Sequence, residues 1–179
     1  LHQYRQAYDM WGSRWQGFTN DTWGIALRDA VRRADNEFLP EARRIYTISR
    51  LPRARLMTFN GLSAEILYPP LPNPDLFPTR PPQGFIFMPS RLSHSKRQLT
   101  AVEAMAHVRS GVRLVIAGLP DSPEDERLVR EAVERLGLGG RVEVHARWVT
   151  DREKSDWMAD CLACAYLPFD EDSYGYATL

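Results

Sequence analysis

Short apolar runs alternate with helix signals between residues 84 and 168, and this alternation constrains the fold more than any other feature of the chain. The connections between runs and helices are short, which is typical of βαβ units whose strands pair in parallel. We therefore predict an α/β fold with a doubly wound parallel sheet, and ligands bound beyond the carboxyl ends of its strands. The predicted strands span residues 84–89, 112–117, 142–146 and 162–167.

The segments between these strands carry recognisable helix starts. The first helix is predicted over residues 95–108, with its leading serine as the N-cap. Ser122 is followed by Pro123 and two acids, a strong start for the second helix. Residues 150–153 read Thr-Asp-Arg-Glu, a capping box that opens the third helix.

Residues 1–67 are predicted to be mostly helical. Within them, residues 44–49 form one clear strand, residues 51–59 a short basic helix, and residues 64–68 a further candidate strand. One or two strands do not make a complete sheet domain, so we expect a partial N-terminal domain over residues 1–67.

Residues 68–82 contain seven of the 13 prolines. A proline-rich segment of this kind is either an extended linker between domains or a polyproline ligand for a partner protein. Because it directly precedes the first strand of the alternating region, we favour the linker, followed by a second domain over residues 83–179.

Composition excludes some classes of function. The net charge is +0, which argues against a nucleic-acid binder. No apolar run approaches the roughly 20 residues needed to span a bilayer. The sequence begins at Leu1 rather than at a methionine, so we expect a piece of a longer protein.

Cys161 and Cys164 form a CxxC motif, for which a redox pair or half of a zinc site is one interpretation. We favour two buried free thiols, because the flanking residues predict a buried strand. Positions three apart on a strand point to opposite faces, so the two sulfurs are expected to diverge. Reduced thiols are typical of cytoplasmic proteins.

The loop after the first strand of the alternating region is basic rather than glycine-rich. It reads Ser-Arg-Leu-Ser-His-Ser-Lys-Arg over residues 90–97, which matches neither a dinucleotide fingerprint nor a P-loop. Arg91 would lie at the carboxyl end of the strand and Lys96 in the first turn of the next helix. Cations beside a positive helix N-terminus suit a phosphate, with a solvated basic loop as the alternative.

Several segments, in this order, resemble family 4 (group 1) glycosyltransferases, which have the Rossmann-like GT-B fold. The basic loop resembles the family segment G-R-L-x-x-x-K-G, and the closing D-S-Y-G-Y-A-T-L resembles E-G-F-G-x-x-x-L-E. The runs V-R-L-V-I-A-G and L-G-L-G-G-R-V-E-V-H-A-R-W-V resemble the middle of the family's donor domain. The resemblance covers residues 40–179.

The resemblance implies a site for a nucleotide-sugar donor. Arg91 and Lys96 would contact its diphosphate, and the backbone at Tyr174 and Gly175 would lie near the phosphates. The nucleotide base would lie at the ends of the neighbouring strands. For the tryptophan in this region, packing against other side chains is the alternative. The residues implied there are Gly118, Trp148 and Val149.

The resemblance also implies a pair of acids eight residues apart, the first facing the donor sugar. Asp172 takes the first position, one methylene shorter than the usual glutamate, and Glu171 is the alternative. The second acid would be residue 180, beyond the sequence. No metal and no cofactor are expected, because such enzymes use fixed cations at the diphosphate.

The N-terminal part partly resembles the acceptor-binding domain of such enzymes. His2, with Arg5 and Asp9, partly matches a His followed by R-x-x-x-D, although the register is one residue off. An apolar face with Trp11 and Trp15 would either touch an anionic membrane or pack against its own domain. We favour packing.

Together these features predict a glycosyltransferase that moves a sugar from a GDP- or UDP-sugar donor to a glycan, lipid or small-molecule acceptor, with retention, in polysaccharide biosynthesis. The chain by itself is expected to be inactive, and cytoplasmic or peripheral at the inner membrane face. The alternatives are a non-catalytic α/β phosphate-binding module and a GT-B relative such as an epimerase or phosphorylase.

Overall fold

The computed structural model describes residues 21–71 and 73–168. They divide into two compact units, the first ending at Pro69 and the second beginning at Pro70. Within the described ranges, every helix is too short or too polar to cross a lipid bilayer.

The first unit begins with helix α1, Thr22–Phe38. Its N-cap is Asp21, whose carboxylate accepts a hydrogen bond of 2.8 Å from the Gly24 N–H. Such a bond satisfies one of the N–H groups that a helix start leaves without a partner. After a 3₁₀ turn at Leu39–Glu41, the unit continues with β1 (Tyr46–Thr47), α2 (Arg50–Asn60) and β2 (Glu65–Ile66).

The two strands of the first unit pair in parallel, with Tyr46 opposite Glu65. Gly61, at φ 67°, ends α2 in the left-handed conformation that glycine adopts without strain. The predicted strand–helix–strand order is therefore confirmed, although both strands are shorter than predicted.

The second unit is built on a four-stranded sheet in the order β5-β4-β3-β6, with every pairing parallel. This confirms the predicted α/β class and its parallel sheet. The fourth strand is shorter than the predicted 162–167, although the Ala165 N–H continues its pairing with a 2.7 Å bond to the Phe87 carbonyl. The strands are β3 (Phe85–Pro89), β4 (Arg113–Ala117), β5 (Val142–His145) and β6 (Ala163–Cys164).

Within the described part of the second unit, three helices cover this sheet: α3 (Gln98–Met105), α4 (Pro123–Arg135) and α5 (Asp151–Asp160). Alternate residues of β3 belong to different cores, as the two-residue period of a strand requires. Met88 packs in a cluster with residues of α3 and α4. Phe85 and Phe87 pack in a second cluster that includes Trp157 of α5. The sheet is therefore covered on both faces.

The helix starts at α4 and α5 are as predicted. Ser122 caps α4 by accepting a hydrogen bond from the Asp125 N–H at 3.2 Å, and Pro123 is the first helical residue. Thr150 and Glu153 form the reciprocal capping box of α5. These helix starts are predicted correctly because each depends on residues at most three positions apart.

The prediction that Ser95 caps the first helix of this unit is wrong. Residues His94–Lys96 form a 3₁₀ turn, and Arg97 follows with φ 61° in the left-handed region. A left-handed residue interrupts a right-handed helix, so α3 begins only at Gln98. Lys96 therefore lies in the turn before the helix and not in its first turn.

The segment predicted as an extended linker is held against α5. The Arg80 guanidinium donates to Asp156 at 2.7 Å and to Asp160 at 3.4 Å. Ser155, which is buried, donates its hydroxyl to the Leu76 carbonyl. The pKa of Asp156 is lowered, chiefly by the bond from Arg80. At least part of the proline-rich segment is thus anchored within the second unit.

Candidate functional site

The loops after β3 and β4 continue the parallel pairing beyond the ends of their strands. The Ser90 N–H donates to the Ala117 carbonyl at 3.2 Å, and the Leu92 N–H donates to the Leu119 carbonyl at 3.1 Å. The Asp121 N–H returns a bond of 2.9 Å to the Leu92 carbonyl. This ladder fixes the backbone on both sides of Arg91 at the carboxyl edge of the sheet.

Gly118 makes the close approach of these loops feasible. A Cβ atom built on Gly118 would lie 2.1 Å from the Ser90 carbonyl oxygen and 3.0 Å from the Arg91 nitrogen. No side chain fits at such distances from backbone atoms, so glycine is required for packing. The structure gives Gly118 this packing role beside Arg91, whereas sequence reasoning had associated it with the nucleotide base.

Arg91 lies at the carboxyl edge with two thirds of its side chain, 66%, exposed. Its guanidinium donates a 2.6 Å hydrogen bond to the carboxylate of Asp121, from the loop after β4. This bond uses one nitrogen of the guanidinium, which has five N–H donors in a planar fork. The remaining geometry suits a bidentate anion such as phosphate.

Lys96 lies at the same carboxyl edge, beside the residues that follow β6. Its Nζ lies 5.9 Å from the centre of the Tyr166 ring, two residues beyond β6, within the range of a cation–π contact. The loop after β3 therefore places two cations at the carboxyl edge, one on each side of β3. Arg91 is tied to the end of β4, and Lys96 approaches the end of β6.

Trp148 lies after β5 and is 73% exposed. The side chain is therefore not packed in the core of this unit, and its contact with a nucleotide base stays a prediction. The Arg147 guanidinium bonds the Trp148 carbonyl at 2.9 Å and the Glu153 carboxylate at 2.7 Å. Val149, in contrast, is buried in the core cluster that includes Phe87. An exposed indole on an anchored backbone offers a flat surface on which a ring can stack.

Glu153, the acid of the α5 capping box, has a strongly lowered pKa. The pKa of Glu153 is lowered to about 2, first by the Arg147 bond and then by hydrogen bonds from Thr150. The pKa of Arg147 is raised by the same pair. Glu153 is therefore ionised at neutral pH and holds Arg147 beside Trp148.

Some of the predicted site residues lie outside the described ranges. The sugar-facing acids, the phosphate-facing turn and the N-terminal histidine all remain predictions. These residues are Glu171, Asp172, Tyr174, Gly175 and His2. Pro168, the last described residue after β6, comes three positions before Glu171 in the sequence.

The prediction that the two cysteine sulfurs diverge is wrong. The Sγ atoms of Cys161 and Cys164 lie 3.9 Å apart, both as free, half-buried thiols. Cys161 is the C-cap of α5 rather than a strand residue, so the chain turns between the two positions. Burial and the neighbouring Cys161 raise the pKa of the Cys164 thiol to about 12.

Sequence reasoning missed three residues of this edge: Gln98, Asp121 and Tyr166. Gln98 is polar but 1% exposed, and its amide bonds the loop that carries Arg91. The signal for Asp121 was an acid four residues beyond a strand end, opposite a basic loop.

Within the described ranges, no cluster of three or more histidine, cysteine or acidic side chains is arranged to hold a metal ion.

Comparison with known proteins gives structural matches only. Neither protein families nor curated protein sequences yield a match. The Anabaena protein HepE, solved in complex with UDP and glucose, superposes with a TM-score of 0.67 at 19% identity, over 82% of this chain and 43% of HepE. Sucrose-phosphate synthase from Thermosynechococcus elongatus gives 0.65 at 20% identity, over 89% of this chain and 44% of the synthase.

A glycosyltransferase from Rickettsia africae also matches, with a TM-score of 0.65 at 15% identity, over 80% of this chain and 43% of that protein. The chain thus spans less than half the length of each of these structures. At these identities the likeness concerns the fold. The chain has the α/β fold, with parallel sheets and covering helices, found in glycosyltransferases of the GT-B class.

Proposed function

We propose that the second unit is the donor-binding part of a glycosyltransferase and that it binds the diphosphate of a nucleotide-sugar at Arg91 and Lys96. The observation that carries this proposal is the placement of two cations from one loop at the carboxyl edge of a parallel sheet. Ligands of such sheets bind at that edge.

The reaction explains why cations are needed there. The bond between the anomeric carbon and the diphosphate oxygen breaks, and negative charge grows on the departing nucleoside diphosphate. The acceptor hydroxyl oxygen forms the new bond to that carbon and loses its proton. Arg91 and Lys96, fixed before the reaction, would stabilise the departing charge without reorganisation.

The other residues predicted for the site have roles in the same proposal. Trp148 would stack on the base, with the backbone at Val149 beside it. Asp172 or Glu171 would contact the sugar hydroxyls, and the amides of Tyr174 and Gly175 would approach the phosphates. Retention, and an acceptor that is a glycan, lipid or small molecule, follow from the resemblance of the motifs.

Binding of UDP, GDP and ADP, measured by isothermal titration calorimetry, tests the proposal. We expect one of the three to bind, with UDP first because HepE is solved with UDP. Arg91→Ala should weaken that affinity about 10- to 100-fold, since a hydrogen bond to a charged group contributes roughly 1.5–3 kcal/mol. Arg109→Ala is the matched control, because Arg109 is an exposed residue before β4, at the opposite edge of the sheet.

Two outcomes would contradict the proposal. The first is that none of the three nucleotides binds. The second is that Arg91→Ala and Arg109→Ala bind the nucleotide equally well.

A further inference from the structure

Gln98, the first residue of α3, is a buried polar side chain with 1% of its surface exposed. Burial of an amide costs free energy unless its hydrogen-bonding groups find partners. A position facing the core at the start of a helix would normally favour an apolar residue. The amide at this position therefore requires an explanation from its contacts.

The contacts of Gln98 all lie on the loop that carries Arg91. Nε2 donates to the Ser90 hydroxyl at 2.9 Å and to the Arg91 carbonyl at 2.7 Å. Oε1 accepts a 3.2 Å bond from the Ser93 N–H. Both donors of the amide are used, together with its oxygen. One side chain thus holds backbone groups on each side of Leu92.

The left-handed residue before Gln98 makes this arrangement feasible. Arg97 has φ 61° and ψ 36°, a conformation that a non-glycine residue adopts at some cost. The turn directs the chain so that α3 begins with Gln98 beneath the loop. The bonds from Gln98 offset part of the cost of that conformation.

The backbone of Arg91 is consequently held from two sides. The ladder to β4 fixes Ser90 and Leu92 through their N–H groups. Gln98 fixes the carbonyl of Arg91 itself. The orientation of the Arg91 side chain at the edge of the sheet depends on both.

We infer that Gln98 is a positioning residue for donor binding, which acts by holding the Arg91 backbone so that the guanidinium meets the diphosphate. This inference rests on the proposed function. Gln98 is too buried to contact the donor, and its effect is transmitted through Arg91.

A double-mutant cycle tests the inference, with UDP, GDP and ADP as probes and the tightest binder carried forward. Gln98→Met keeps the length of the side chain but removes all three bonds. We expect it to weaken the nucleotide affinity about 5- to 10-fold and to leave the affinity of the Arg91→Ala protein unchanged within two-fold. Such non-additivity is the signature of action through Arg91, which a general loss of stability would not produce.

The other outcomes distinguish the role of Gln98 from the diphosphate-binding role of Arg91. If Arg91→Ala weakens binding and Gln98→Met does not, the role of Gln98 is wrong and the proposed function stands. If the two losses add, Gln98 acts independently of Arg91 and the inference is again wrong. If Arg91→Ala has no effect, the proposed function itself is contradicted.

Hydrogen exchange in the unmodified chain keeps the inference testable if Gln98→Met fails to fold. The Ser93 amide, bonded to Gln98, should exchange slowly, and the bound nucleotide should slow it further. A Ser93 amide that exchanges at the rate of an exposed loop, with or without nucleotide, would overturn the inference.

Discussion

Arg91 and Asp121 form an ion pair of 2.6 Å that joins the loop after β3 to the loop after β4. Both side chains are at least a third exposed, so the pair contributes little to stability, about 0–1 kcal/mol. Its importance lies in its position. Asp121 occupies one nitrogen of the cation that the proposed function assigns to the diphosphate, and its own charge repels that ligand.

The first prediction is that Asp121→Asn tightens nucleotide binding. Loss of the carboxylate removes a competitor for Arg91 and a repulsive charge, so we expect an affinity gain of about two- to five-fold at low salt. The gain should shrink as ionic strength rises, because exposed charges are screened. Calorimetric titration at two salt concentrations measures both effects.

Glu134→Gln is the matched control, since Glu134 is an exposed acid near the C-terminal end of α4, at the other edge of the sheet. An equal gain in both variants would mean that overall charge, and not Asp121, governs the affinity. A loss of affinity in Asp121→Asn would mean that the ion pair orients Arg91 rather than competing for it.

A second prediction concerns the close approach at Gly118. Gly118→Ala places a methyl group 2.1 Å from the Ser90 carbonyl oxygen, so the loop must move or the strand ends must separate. We expect a loss of about 1–3 kcal/mol in the free energy of unfolding, and weaker nucleotide binding because Arg91 moves with Ser90. Chemical denaturation and titration measure the two losses.

Gly111→Ala is the control for that substitution, because a Cβ at Gly111 meets no atom within 4 Å. Its free energy of unfolding should stay within about 0.5 kcal/mol of the unmodified protein. Equal stability of the two variants would contradict the packing role of Gly118.

A third prediction follows from the capping box of α5. The pKa of Glu153 is lowered from 4.5 to about 2 in the folded chain, so its contribution to stability is present above pH 4.5 and is lost as pH falls toward 2. The difference in melting temperature between the unmodified protein and Glu153→Gln should therefore be constant near neutrality. It should shrink between pH 4.5 and 2.

The control here is Glu103→Gln, at an exposed glutamate of α3 outside the capping box. Its melting temperature should follow that of the unmodified protein across the same range of pH. A Glu153→Gln difference that persists unchanged at pH 2 would show that the charge of Glu153 is not its source.

The fourth prediction concerns the reactivity of Cys164. Burial raises the pKa of this thiol well above its ordinary value, so little of it is thiolate at pH 8 and alkylation by iodoacetamide should be slow. Cys161→Ala removes two of the causes that raise this pKa, so labelling of Cys164 should accelerate. Mass spectrometry of labelled peptides over time gives both rates.

Labelling of the same proteins in denaturant provides the reference rate. If folded Cys164 reacts as fast as it does in the denatured chain, the burial that raises its pKa is contradicted. If Cys161→Ala leaves the folded rate unchanged, the proximity of the two sulfurs does not influence Cys164.

The sequence predicts those parts of the fold that depend on neighbouring residues. The apolar run at residues 84–89 and the caps at Ser122 and Thr150 carry their own signals, and the elements they predict are present. The strand order β5-β4-β3-β6 cannot be predicted from neighbouring residues in this way, because it depends on which crossovers pack best over the sheet.

The two errors at the site, the wrong helix start and the missed role of Gln98, also arise because these features depend on more than neighbouring residues in the sequence. Arg97 adopts a left-handed conformation that no residue pattern near it requires, and this shifts the helix start from Ser95 to Gln98. Gln98 then appears in the sequence as one more polar residue. Its role becomes visible only when the loop from Ser90 to Ser93 is placed above it.

The exposure of Trp148 also has a spectroscopic consequence. An indole that is 73% in contact with water emits at long wavelength, and a purine or pyrimidine ring laid across it quenches that emission. Comparison of the chain with its Trp148→Phe variant isolates this signal from the other four tryptophans. Under the proposed function, the fluorescence of Trp148 would therefore report the binding of the nucleotide base.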